Sequence, residues 1–151
     1  MKASEAMQLP EYQLVSAAAN NDLKKVKALI ADGVDVSSHE PLYGRNALHA
    51  ACKQGLSKMV PFLISVGASL DSLDDNSMTP LMCACSTGKK KGSSLAMMLM
   101  DAGADVKYVR KTDGMSALSF ANWGQCSAEV INRLIELGAK PLPKDFVNLH
   151  V

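Results

Sequence analysis

Residues 98–105 read Met98-Leu99-Met100-Asp101-Ala102-Gly103-Ala104-Asp105, and this short stretch returns three more times along the chain. It appears as Ala28-Leu29-Ile30-Ala31-Asp32-Gly33-Val34-Asp35, as Phe62-Leu63-Ile64-Ser65-Val66-Gly67-Ala68-Ser69 and as Arg133-Leu134-Ile135-Glu136-Leu137-Gly138-Ala139-Lys140. The four glycines, Gly33, Gly67, Gly103 and Gly138, stand 34, 36 and 35 residues apart. A second set of segments precedes each of these: Gln13–Ala18, Ala47–Cys52, Pro80–Cys85 and Ala117–Asn122, aligned on Leu14, Leu48, Leu81 and Leu118. Two unrelated motifs that share one period and keep their order mark an internal repeat, and such a repeat decides the fold.

Each unit reads as two short helices. The first is rich in Ala, so helices of neighbouring units can approach closely. The second carries the i, i+3, i+4 apolar spacing of an amphipathic helix, as in Val26, Leu29 and Ile30 or Val130, Leu134 and Ile135. The recurring glycine falls just past it, where a left-handed C-terminal cap costs least. Some 14 or 15 residues rich in Asp, Asn, Ser and Gly lead on to the next leucine, the composition of a turn-bearing loop. Pro61 lies in the second helix of the second unit. With Leu56 or Ser57 as its cap, the proline falls in the first turn, where backbone N–H groups have no intrahelical partner.

The motifs resemble the ankyrin repeat, which has a period of about 33 and a Thr-Pro-Leu-His-x-Ala signature. Thr79-Pro80-Leu81-Met82-Cys83-Ala84 and Asn46-Ala47-Leu48-His49-Ala50-Ala51 carry the match, with a weaker Ser116-Ala117-Leu118-Ser119-Phe120-Ala121. The resemblance implies an all-α solenoid of four helix-turn-helix repeats joined by long, β-hairpin-like loops. The expected domain is 7–141, divided at 7–40, 41–73, 74–110 and 111–141, with a tail over 142–151. The first repeat, with Asn20-Asn21-Asp22, Lys24, Lys25 and Lys27, has the polar exterior of a capping unit. Two readings of the apolar Leu142, Phe146, Val147 and Leu149 stay open: a tail folded over the last repeat, or a chain cut from a longer protein.

Two places break the pattern. From Gly88 to Gly103 is 15 residues, against 12 from Gly55 to Gly67, and the excess at Lys89–Ser94 reads as a solvated loop between helices. Around Trp123-Gly124-Gln125-Cys126, Gln125 takes the place of Gly55.

Composition argues against most chemistry. Sixteen Lys and Arg against 15 Asp and Glu leave a net charge of +1, without the basic excess of a phosphate-binding protein. No apolar run approaches the roughly 18–20 residues of a membrane span, and Met1–Pro10 lacks the apolar core of a signal peptide. Cys52, Cys83, Cys85 and Cys126 suit a reduced intracellular setting. The expected location is the cytoplasm, with the nucleus or a host cytosol as alternatives for a secreted effector. His39, His49 and His150 form no i, i+4 metal pair. The resemblance has His49 hydrogen-bonding loop backbone. Cys83 and Cys85, two apart on one helix, point to different faces. Asp71, Asp74 and Asp75 lack the spacing of a calcium loop and read as solvated turn residues. Neither a metal nor a cofactor is expected, nor enzymatic activity.

What the resemblance implies is a concave binding face for a partner protein or peptide, on a monomer that binds no nucleic acid. Transferred position by position, that face comprises Leu42, Tyr43, Arg45, Lys53 and Gln54 from the second repeat. The third gives Leu73, Asp75, Asn76, Met78, Ser86 and Thr87, and the fourth gives Arg110, Thr112, Asp113, Met115 and Trp123. Interface anchors favour Trp, Tyr and Arg, which ranks Tyr43, Arg45, Arg110 and Trp123 first. Core packing is the other reading of Trp123. Arg45, Lys53, Arg110 and Lys111 would make the groove mildly basic. The alternative function is a recruiting domain of a larger enzyme or bacterial effector whose catalytic part lies elsewhere.

Overall fold

The computed structural model describes residues 1–139. Its helices are α1 (Ala3–Ala6), α2 (Pro10–Ala19), α3 (Leu23–Ala31), α4 (Ala47–Gln54), α5 (Met59–Ser65), α6 (Pro80–Thr87), α7 (Lys89–Asp101), α8 (Ala117–Trp123) and α9 (Ala128–Glu136). From α2 onward they form four antiparallel pairs. The first helices stack in one row, α2 on α4, α4 on α6 and α6 on α8, while each packs against the second helix of its own pair.

The sequence explains the row. Leu14, Leu48, Leu81 and Leu118 are all fully buried, flanked by the small buried side chains Ala17, Ala18, Ala50, Ala51, Cys52, Ala84, Cys85 and Ala121. Small residues allow close backbone approach, and each buried leucine contributes about 1.5–3 kcal/mol. Asn46, Thr79 and Ser116 cap α4, α6 and α8 by accepting the N–H of His49, Met82 and Ser119, each replacing a hydrogen bond the helix cannot make for itself. Pro61 is the third residue of α5 and costs no intrahelical bond.

All four second helices end identically. Gly33, Gly67, Gly103 and Gly138 have φ of 95°, 87°, 97° and 98°. At each, the glycine N–H and that of the next residue bond back to carbonyls of the last turn, as in Gly33 to Ile30 and Val34 to Leu29. This is the Schellman closure.

The loops fold back as hairpin-like turns, although the described residues contain only one isolated antiparallel bridge, Val109 with Ser116, and no strand. Glu40 pairs with Arg45, Asp74 with Met78 and Arg110 with Met115 through backbone N–H to carbonyl bonds of 2.8, 3.1 and 2.9 Å.

Lys89–Ser94 is not a solvated loop. It is the first turn and a half of α7, which runs 13 residues, and Gly92 and Ser93 are buried. Gly92 lets α7 lie so close to α6 that a Cβ there would overlap the Ala84 carbonyl oxygen. The irregular turn of the fourth repeat keeps the register expected of it. Gln125 has φ of 56°, matching 71° at Gly55. The proposed tail, 142–151, lies outside the described residues.

Candidate protein-binding face

The hairpin tips and the open side of the first helices face the same way, and two grooves form there. The larger, about 460 Å³, lies between the third and fourth repeats. Its lining includes Lys53, Asn76, Met78, Ser86, Thr87, Arg110 and Trp123, all anticipated, and Asp74, Cys83 and Phe120, which were not. The smaller joins Tyr43 and Arg45 to Tyr12, Val15, Ser16 and Glu40 of neighbouring elements. Leu42, Gln54, Asp75, Asp113 and Met115 line neither groove.

Trp123 is a surface residue, 71% exposed at the end of α8. Core packing is thereby excluded, although Trp123 lines the larger groove together with Cys83, Ser86 and Thr87 of α6. Tyr43 is 58% exposed. The Arg45 guanidinium stacks over its ring at 5.1 Å, and Arg45 Nε has no hydrogen-bond partner.

Arg110 is held differently. Its Nε and second terminal nitrogen bind the Asp113 carboxylate, its other nitrogen reaches the Asn76 carbonyl and Met78 sulfur, and its guanidinium lies 5.3 Å from the Phe120 ring. Asp113 therefore offsets the Arg110 charge, and Asp74 adds a carboxylate to the same groove. That leaves Lys53, exposed and in no ion pair among the described residues, as its available cation. The groove is less basic than a count of cationic residues suggests.

Carboxylates shape the tips. Glu40, buried, accepts N–H groups from Leu42, Tyr43 and Arg45 at 2.7, 2.8 and 3.2 Å. Asp74 accepts those of Asn76 and Met78, both at 2.9 Å. At 8% exposure Asp74 is not the solvated turn residue its context suggested. A tight turn leaves backbone donors without partners, and a short acidic side chain folded inward supplies the acceptor. In the fourth repeat Asp113 plays this part, accepting from Met115. An acidic residue a few positions before the helix cap was the signal available in the sequence. The tips are also tied across repeats, by Asp75 N–H to the Tyr43 carbonyl and by His49 Nε2 to the Met78 carbonyl at 2.9 Å. Among the described residues no group of three or more His, Cys, Asp or Glu is placed to hold a metal ion. No described helix is long and apolar enough to cross a membrane.

Comparison with known proteins agrees with this architecture. A family model described as ankyrin repeats in three copies matches residues 14–108. The chain is 32% identical over 136 residues to the L-asparaginase of Dirofilaria immitis, covering 88% of this chain and 22% of that protein. It is 38% identical over 109 residues to the nuclear factor NF-kappa-B p105 subunit of Gallus gallus, with 69% and 11% covered. It is 33% identical over 110 residues to the probable E3 ubiquitin-protein ligase XBOS32 of Oryza sativa, with 72% and 22% covered. The chain thus spans less than a quarter of the length of each of these three relatives.

Proposed function

The chain belongs to the ankyrin-repeat family, and from that premise we propose that it is a non-catalytic scaffold whose concave face binds a partner protein or peptide. Repeats of this family generally serve as protein-interaction modules. The observation that carries the reading here is the exposed Trp123 at the rim of a groove floored by Phe120, Met78 and Cys83. A large aromatic left in water beside an apolar floor gains by being covered, and such residues anchor interfaces. Tyr43 with Arg45 forms a second anchor on the same face.

Affinity capture from a lysate with wild type, Tyr43→Ala/Arg45→Ala, Trp123→Ala and the outer-helix variant Ile135→Ser tests this. The first two variants should each weaken the captured partner by more than ~2 kcal/mol, roughly 30-fold, with helicity intact. Ile135→Ser should bind as wild type. Equal affinity across all four proteins would remove the concave face from consideration.

A second reading makes the chain the recruiting domain of a larger enzyme. It is supported by the relatives, which include an asparaginase and a ubiquitin ligase of which the chain spans 22%. An antibody against this region should then detect a native polypeptide far larger than 16.1 kDa. A product of that mass alone would count against it.

A further inference from the structure

The charge that the larger groove lacks lies just beyond one of its ends. The four turns between paired helices, 20–25, 53–58, 86–91 and 123–129, hold seven lysines and two carboxylates. The three hairpin loops, 35–45, 69–78 and 105–115, hold seven carboxylates and four cations. A net charge near zero therefore conceals a slab polarised from one edge to the other. The groove runs between those edges along α6 and α8. At its hairpin end stand Asp74 and Arg110, the latter paired with Asp113, and at its turn end stand Lys53, Thr87 and Trp123. Past Thr87 the chain continues Gly88-Lys89-Lys90-Lys91, and close packing seats this segment against the rim. A Cβ on Gly88 would overlap the Gly124 carbonyl, and the Lys89 N–H bonds that same carbonyl at 3.0 Å, one residue beyond Trp123. The Lys91 stem passes 3.4 Å from where a Cβ of Gly55 would stand, two residues beyond Lys53. Lys53, Lys89, Lys90 and Lys91 are all exposed, and none is in an ion pair among the described residues. Nor do the last three serve α7. Its first turn has no carboxylate, and cations there oppose the helix dipole.

We propose that the partner's bound segment is a peptide with an apolar side chain in this groove and a run of Asp or Glu leading out past Trp123 over the lysines. The proposal rests on the concave-face reading and adds the partner's chemistry to it. The apolar part follows from the floor. Cys83 and Phe120 are buried beneath the exposed Trp123, a recess that a side chain enters and a flat bilayer does not. The one-sided charge follows from the polarity of the groove. Carboxylates over Lys53 and Lys89–Lys91 are attracted, whereas a strand of phosphates along the whole groove would meet Asp74 and Asp113 at the far end. Lysine is a mobile point charge without the fixed fork of arginine, which suits a run of carboxylates of variable spacing.

The test is selection of random dodecapeptides displayed on phage against the immobilised full chain, with the enriched peptides then synthesised and titrated. Trp123 is the sole tryptophan, so its emission reports occupancy of the groove. Enriched peptides should carry an apolar residue with a run of Asp or Glu on one side of it. Their binding should shift Trp123 emission to the blue and weaken by about tenfold or more between about 50 mM and about 500 mM salt. Lys89→Gln/Lys90→Gln/Lys91→Gln should weaken it by about tenfold. Peptide analogues with Asn and Gln in place of Asp and Glu should lose as much on wild type, which keeps the test decisive if the triple variant fails to fold. Neutral or basic peptides that shift Trp123 emission and bind the triple variant equally would overturn the acidic run and leave the concave face standing. Peptides that leave the emission unmoved and bind Trp123→Ala as tightly would remove the concave face and this proposal with it. Tighter lysine-dependent binding of oligothymidylate or of phosphatidylserine vesicles would assign the lysines to another ligand and overturn the proposal, as would a failure to enrich any peptide.

Discussion

His49 carries two hydrogen bonds that make opposite demands on its ring. Nδ1 accepts the Asn46 N–H at 3.2 Å, so in the neutral ring the proton must sit on Nε2, from which it is donated to the Met78 carbonyl at 2.9 Å. One side chain thus completes the cap of α4 and ties the second repeat to the third. Burial lowers its pKa from the ordinary value of 6.5, against smaller opposing effects from the Met78 carbonyl, Asp74 and the Ser72 backbone, with His39 adding to the lowering. Because the folded value is depressed, the unfolded chain binds the proton first. Stability is therefore full above pH 6.5 and falls as pH drops below it towards the folded value. Urea midpoints measured from about pH 7.5 to about pH 5 should decline with acid in wild type, and His49→Gln should remove much of that decline. A flat wild-type profile would contradict the buried neutral ring. This residue's role was legible because the motif around it is. The exposure of Trp123 was not, since the last residue of a helix can face either way and only the packing of α6 decides. Nor was the neutralisation of Arg110, which requires knowing that the turn folds Asp113 back on it.

At the scale of elements, the four helix pairs were legible because alternation of an Ala-rich and an amphipathic segment leaves few other packings. The length of α7 was not. Lys89-Lys90-Lys91-Gly92-Ser93-Ser94 has a glycine and two serines that read as loop, and the reason it is helix lies in tertiary contact. Gly92 removes the side chain that would hold α7 off α6, and Ser93 accepts the Ser127 N–H at 2.9 Å from the next repeat. Two effects compete in Gly92→Ala. Helix propensity favours alanine by about 1 kcal/mol, while overlap with the rigid Ala84 carbonyl costs about 1–3 kcal/mol. The backbone oxygen cannot rotate away, so overlap wins. Chemical denaturation should show a net loss of up to about 2 kcal/mol. Gly67→Ala, where no atom lies near a new Cβ, should cost only the left-handed strain, about 1–2 kcal/mol, and leave the α6–α7 contact unchanged. A stabilised Gly92→Ala would mean that α7 is not pressed against α6.

At the scale of the molecule, the period was legible from the residues, whereas most of the groove's lining followed only from the family resemblance and its floor at Cys83 and Phe120 was missed, because the walls come from segments about 35 residues apart whose facing edges no periodicity reports. The stack itself has an energetic consequence. Each repeat touches only its neighbours, so the fourth is held, among the described residues, through α8 on α6 and α9 on α7. The third is held from both sides. Leu134 on α9 and Leu81 on α6 are both fully buried, and truncating either to alanine costs about 2–5 kcal/mol. The same loss should nevertheless spread differently. A penalty of that size in an end unit can exceed its single interface, so Leu134→Ala should open the fourth repeat alone. Leu81→Ala weakens the interfaces on both sides of α6 and should lower the stability of the whole stack. Amide hydrogen exchange followed by mass spectrometry separates the two cases. Leu134→Ala should accelerate exchange over 116–136 and leave 10–65 as in wild type, whereas Leu81→Ala should accelerate both regions. If Leu134→Ala raises exchange evenly from α2 to α9, the four repeats unfold as one unit, and their interfaces are stronger than the repeats they join.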